Sequence, residues 1–388
     1  MKIIRPLPIT DARLTDSNVP ETDYAEFSMG TTYAEGDIII DSTGVEILTL
    51  DVAPATSWAA GDLITGQTST KTAYVVAQIT PLTYQIRERT GSFTLGEIIG
   101  VTGTPAKLAD QGATFPTVTA ATDKIHKIYE SLAAANLANY PPSDVLLATP
   151  KWLEISSTNR WKAFDVIVGS QTIQPTSITY EITAGEIFNS IAFLNLDAAE
   201  VNIVFTDPID GEVYNETISL ITTSVTGTTA IIDWYTYFFG AFIKITDFVQ
   251  LDIPPYLNAV LTVTINNSTG VDAKVGAIII GMQTTIGTTL AKPSVGIIDY
   301  SVKTVDAFGY YTITERSYSK RMNVDLKIFN SSIDDVLNIL AYYRATPLVW
   351  VASEDFSSLL IYGFYKEFTA VIDYNTYSLY SLEIEGLI

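Results

Sequence analysis

One histidine and no cysteine make a small kit for chemistry in a chain of 388 residues. A nucleophilic triad would need His126 as its base, yet no G-x-S-x-G elbow or comparable nucleophile motif accompanies it. His126 stands among Lys124, Lys127 and Glu130 and reads as a solvated histidine on a helix. Without cysteine the chain has no thiol nucleophile, no thiolate zinc site and no disulfide. Asp207, Asp210 and Glu212 are candidate Ca²⁺ ligands, but they miss the D-x-[DN]-x-[DN]-G order. Asp207-Pro208-Ile209-Asp210-Gly211 reads instead as a hairpin turn. No P-loop or dinucleotide fingerprint occurs. With 43 acids, a pair of carboxylates suited to glycoside hydrolysis arises by chance. The expectation is a protein that is not an enzyme, with no catalytic residues, no metal site and no cofactor.

Aromatic residues offer binding in place of reaction chemistry, and they fall into two sets. Tyr33, Trp58 and Phe93 each open a repeated pattern of aromatic, two residues, Gly, acid and two aliphatics. The copies are Tyr33-Ala-Glu-Gly36-Asp37-Ile38-Ile39, Trp58-Ala-Ala-Gly61-Asp62-Leu63-Ile64 and Phe93-Thr-Leu-Gly96-Glu97-Ile98-Ile99. Glycine permits a positive-φ turn, the acid holds backbone N–H groups, and the aliphatic pair starts a strand. The aromatic ring either packs over its own turn or stacks on a sugar. The second set, Trp234, Tyr235, Tyr237, Phe238 and Phe239, lies where two strands meet. Core packing and a subunit interface are its two readings.

Composition narrows the partners. The 43 acids against 22 bases give a net charge of −21, which argues against a nucleic-acid backbone and against anionic membrane surfaces. A hydrophobic content of 47% leaves ample material for cores. The longest apolar run, Val275–Met282, is about half of the ~18 residues a membrane helix needs. Pro6 and Pro8 break the N-terminus too early for the apolar core of a signal peptide.

The elements that must position these residues are mostly strands. Residues 1–26 read as an N-terminal arm that cannot fold alone and is expected to lace onto a neighbouring molecule. Residues 27–120 read as small β modules built on the Gly-acid repeat, with Thr72–Ile79 and Thr83–Arg89 as strands about Pro81. Residues 121–162 read as a helix, 123–138, followed by a Pro-rich joint. The helix rests on Ile125, Ile128, Tyr129 and Leu132 at helical spacing, with Asp123 as cap. Residues 163–292 alternate in short strands and read as a β-sandwich. Residues 293–388 read as a second β-sandwich with one flanking helix near 332–341. Ser331 or Ser332 caps that helix, and Ile333, Val336, Leu337 and Leu340 form its apolar face. The expected class is therefore mainly β.

Three stretches carry a resemblance. The first holds Ile9-Thr10-Asp11-Ala12-Arg13-Leu14 and Ser17-Asn18-Val19-Pro20-Glu21. The second runs from His126-Lys127-Ile128-Tyr129-Glu130 through Asn139-Tyr140-Pro141-Pro142 to Asn159-Arg160-Trp161-Lys162. The third holds Gly296-Ile297-Ile298-Asp299-Tyr300, Arg344-Ala345-Thr346-Pro347, Tyr362-Gly363-Phe364-Tyr365-Lys366 and Leu382-Glu383-Ile384-Glu385-Gly386. Together they resemble structural proteins of the tail tip of tailed bacteriophages, of the distal-tail or baseplate type. Similar proteins run from the first Gly-Asp strand towards the helix with little between, so about 50–112 reads here as an insertion. The resemblance implies a tail-tube-like C-terminal unit and assembly into a ring of three- or six-fold symmetry. Its partners would be copies of itself and the tube, hub and fibre proteins of a virion tail, made in the host bacterial cytoplasm. The Tyr33 segment is also similar to small carbohydrate-binding modules, which implies host surface glycan as an alternative partner.

Overall fold

The structure is a computed structural model that describes residues 1–101, 103–119, 124–222, 243–305, 307–354, 356–371 and 376–388. It is mainly β and divides into two compact units. Residues 20–158 form one. The other combines residues 1–19 with 159–388.

The discontinuous unit is organised by its first strand. Lys2–Pro6 alternates too little to sit on a half-solvated sheet, because Ile3 and Ile4 are both buried. Successive side chains on a strand point to opposite faces, so this strand needs a core on each side. It finds them by pairing antiparallel with Ala277–Thr285 on one flank and Leu348–Val351 on the other. Ile3 joins a cluster with Trp350, Leu326 and Leu382, and Ile4 joins a different one with Leu194, Ile279 and Val349. Residues 1–26 were expected to be an arm for a neighbouring molecule; the strand is instead the middle of a ten-stranded sheet within its own chain. Segments read as separate sandwiches, 163–292 and 293–388, both contribute to that sheet.

One end of the sheet, Ser190–Leu194 and Ala277–Thr285, packs against a five-stranded sheet. That sheet runs Gly211–Ser219, Glu200–Asp207, Val260–Asn266, Ser177–Thr183 and Leu14–Ser17 in spatial order. The buried residues alternate, as in Ile178, Tyr180 and Ile182 against Leu261, Val263 and Ile265. The other end carries Tyr318–Phe329, Leu360–Val371 and Tyr377–Gly386 and is covered by the helix Ile333–Tyr342. Ile333, Val336 and Leu340 are buried beneath that helix, each contributing ~1.5–3 kcal/mol. Leu337, expected on the same face, is 40% exposed. Ser332 does occupy the N-cap position, but its side chain makes no capping bond. At the other terminus the Tyr365 hydroxyl donates to the Leu340 carbonyl at 3.0 Å. The sheet curls until Lys320, near one end, pairs with Asp247, just before the strand Phe248–Gln250 at the other.

The unit 20–158 holds a seven-stranded and a four-stranded sheet. The expected strands about Pro81 are Thr72–Thr80 and Thr83–Arg87, a hairpin within the larger sheet. The expected helix 123–138 is replaced by a strand, Lys127–Ser131, with Asp123 outside the described residues. Two neighbours overrule the helical spacing: Ile38–Asp41 pairs on one side and Trp152–Ser157 on the other. Tyr129 and Ile128 are buried there, while Ile125 and Leu132, which a helix would have buried with them, are exposed.

Ile4→Asp should place an unpaired charge inside a two-sided core and remove cooperative unfolding of the discontinuous unit, a cost of several kcal/mol. Leu337→Asp, on the exposed part of the helix, should change stability by no more than ~0.5 kcal/mol. Thermal unfolding followed by circular dichroism separates the two; equal effects would contradict this placement of the first strand.

Candidate functional site

The three repeat copies fold as one recurring turn. Gly36, Gly61 and Gly96 have φ of +87°, +84° and +75°, where only glycine is free of strain. In each copy the acid accepts from the backbone N–H three residues earlier. Asp37 takes Ala34 N at 2.7 Å, Asp62 takes Ala59 N at 2.9 Å and Glu97 takes Thr94 N at 2.7 Å. The aliphatic pairs then open the strands Ile38–Asp41, Leu63–Gly66 and Ile98–Gly100. Glu97 also accepts from Thr68 N and Ser69 N at 2.9 and 2.7 Å, tying the third copy to the loop after the second.

The aromatic of each copy is turned inward. Tyr33, Trp58 and Phe93 are 8%, 3% and 9% exposed. Tyr33 stacks on Phe27 and meets Trp152 edge-on. Trp58 lies against Tyr84 and donates its indole N–H to the Lys107 carbonyl at 2.6 Å. Phe93 belongs to the core with Ile64 and Ile99. A sugar stacks on an open ring face, and these faces are occupied by protein.

His126 is not the solvated helical residue that its neighbours imply. It is buried, has φ of +54°, and its Nδ1 lies 2.8 Å from the Glu21 carboxylate. Glu21 also accepts from the Thr158 hydroxyl at 2.7 Å. Asp207 holds its turn by accepting from Ile209 N and Asp210 N at 2.8 and 3.1 Å. Among the described residues no group of three His, Cys, Asp or Glu is placed to hold a metal ion, and no helix is long and apolar enough to cross a membrane. Trp234, Tyr235, Tyr237, Phe238 and Phe239 lie outside the described residues.

The feature that sequence reasoning missed is a hairpin of Val302–Val305 with Tyr311–Thr314. Its register pairs Lys303 with Ile313 and Val305 with Tyr311, which puts these four on one face; Val302, Thr304, Thr312 and Thr314 share the other. Such a sided ribbon ordinarily covers a core. Here every residue of both strands is exposed, and Phe308 beside the turn glycine Gly309 is 86% exposed. A two-stranded ribbon alone is marginal in water. Its root is fixed: the Tyr300 hydroxyl donates to Glu385 at 3.1 Å and Tyr300 N donates to Ser317 O at 3.3 Å. The signal available in the sequence was an aromatic run, Phe308-Gly309-Tyr310-Tyr311, around a turn glycine.

At the root the return strand leads into the rim of a cavity of about 600 Å³. Glu315, Arg316 and Tyr318 form part of the rim, and Leu194, Leu360, Tyr362 and Leu387 supply apolar wall. Burial, and then the Asp165 charge, push the Tyr362 phenol up to about 12. It is neutral at any physiological pH and adds a polar tip to an apolar wall.

Comparison with protein-family models finds no match, and a search of curated proteins finds none.

Acid should reveal the repeat turns. Burial alone would raise the Glu97 carboxyl, but the donors of Ser69, Thr94 and Thr68 hold it below the ordinary carboxylate range. The unfolded chain, with a pKa of ~4.3, therefore binds this proton more readily than the folded one. The stabilisation is complete above that pH and is lost as pH falls through the lower folded value. Glu97→Gln should be less stable than the parent at pH 7 and should lose less stability between pH 5 and pH 3, as measured by urea unfolding across that range.

Proposed function

We propose that this chain is a structural subunit of a bacteriophage tail tip, working by association with copies of itself and with neighbouring tail proteins, and catalysing no reaction. The observation that carries the reading is the Val302–Val305/Tyr311–Thr314 hairpin, with Val305, Tyr311 and Ile313 exposed beside Lys303 on one side of a fixed root. A contiguous apolar face rimmed by polar residues marks an interaction surface. Tyrosine is among the residues that dominate interface energetics. The resemblance of the three sequence stretches gives the setting, a virion tail assembled after synthesis in the host cytoplasm. The extensive sheets of the discontinuous unit suit a part that bears load, and binding energy spread over interfaces of ~1,200–2,000 Å² replaces chemistry as the product.

The purified protein should form a discrete oligomer of three or six copies by light scattering, with matching rings in negative-stain images. Tyr311→Asp should weaken that association by ~2 kcal/mol, roughly thirty-fold, while leaving the thermal transition in place because Tyr311 is exposed. A monomeric parent, or a Tyr311→Asp variant that assembles as well as the parent, would remove the self-association reading.

A further inference from the structure

The hairpin and the cavity at its root lie in one molecule but cannot meet there. Residues 315–318, at the cavity rim, continue directly from the strand Tyr311–Thr314. The tip at Phe308–Gly309 therefore stands about six residues further out, roughly 20 Å at ~3.3 Å per residue. A paired ribbon with its root bonded at Tyr300 cannot double back over that distance. Resting on the self-association reading, we propose that the hairpin tip, led by Phe308, inserts into the root cavity of a second copy of this chain. Each molecule then carries one key and one lock.

Three observations fit a second copy as the occupant. The cavity of about 600 Å³ lies within the ~300–1,000 Å³ of ordinary binding pockets, and Leu387 and Ile388, neither of them buried, give its mixed lining apolar surface that an aromatic tip can meet. Asp247 and Lys320 at the cavity pair with one another, and Glu315 and Arg316, of opposite sign, also line it, so an uncharged tip meets no excess of one sign among these side chains. Finally, the chain carries −21, so two copies repel over their general surfaces. Residues 299–321, the hairpin and its root, hold Lys303, Arg316, Lys320 and Arg321 against Asp299, Asp306 and Glu315, so this segment is near neutral on an acidic chain. This stretch is where one acidic molecule can approach another. The contact is heterologous, since tip and cavity are different patches, and such contacts close into rings when the rotation allows.

Complementation tests it. Phe308→Asp spoils the key and leaves the lock. Gly169→Trp spoils the lock and leaves the key, because a Cβ at Gly169 meets the Ile388 carbonyl carbon on the cavity wall at an ordinary 3.6 Å. Ser317→Trp, at an exposed rim position, is the substitute if Gly169→Trp does not fold. Light scattering is run on the full-length parent, on each variant and on an equimolar mixture. The expected result is an oligomeric parent, two monomeric variants, and a mixture that forms a one-to-one dimer and nothing larger. A mixture that stays monomeric overturns the insertion, as does a lock variant that assembles like the parent while Phe308→Asp does not. In that second case self-association stands and only the cavity loses its role. A monomeric parent overturns both.

Discussion

The insertion of Lys2–Pro6 between Ala277–Thr285 and Leu348–Val351 is the constraint on which the discontinuous unit depends. The two flanking strands do not pair with one another; each presents a row of backbone donors and acceptors that only this segment satisfies. Removing it would open a slot through the middle of the sheet and expose two cores at once, because Ile3 and Ile4 belong to different ones. The partners lie some three hundred residues away in sequence, so the sheet is complete only when the whole chain is present. Closing such a loop costs entropy before any contact rewards it. The 20–158 unit is spliced into this loop, and its entry and exit are held together within it: the Thr158 hydroxyl donates to Glu21 at 2.7 Å.

Within the 20–158 unit the corresponding part is Arg87. It is the last residue of a strand in the seven-stranded sheet, and its guanidinium donates to Asp41 of the four-stranded sheet at 2.6 Å and to Glu26 at 3.0 Å. The rings of Phe27 and Tyr140 each lie 5.3 Å from the guanidinium carbon. Taking such a pair out of water costs several kcal/mol per ion, so its net effect on stability is close to neutral. What it supplies is registration. A planar, five-donor group with two carboxylates and two ring faces tolerates one relative placement of the sheets, whereas apolar side chains would accept several.

Legibility in the sequence followed the range over which each element is determined. The repeat turns were legible because glycine φ and the acid's bonds are set within four residues, and each of the three copies has the expected geometry. The helix Ile333–Tyr342 was legible because its apolar spacing agrees with the core it meets. At 123–138 the same spacing misled, since strands 90 residues before and 25 residues after claim Ile128 and Tyr129 from both sides. The first strand was unreadable for a related reason: the five residues Lys2–Pro6 carry no sign that their partners lie beyond residue 276. The hairpin escaped notice because alternation of Val305, Tyr311 and Ile313 with threonines ordinarily signals a covered face. Periodicity reports that a strand has two sides; it does not report whether the apolar side is covered from within the molecule or from outside it.

That distinction also bears on the acidity. For the proposed self-association a net charge of −21 is at first sight a handicap. Yet repulsion between exposed charges is screened beyond about 8 Å at physiological salt, while an apolar contact acts where surfaces touch. Generalised charge therefore penalises loose or misaligned encounters, which bring many acids near one another without burying apolar area. In the proposed contact a docked hairpin is penalised less, because its contacts are apolar and residues 299–321 are near neutral in charge. An exposed aromatic ribbon on a neutral protein would invite indiscriminate aggregation. In the proposed contact the same ribbon is a place where attraction is short-ranged and repulsion is weak. If the hairpin docks as proposed, the acidity and the hairpin act together to select a single contact geometry.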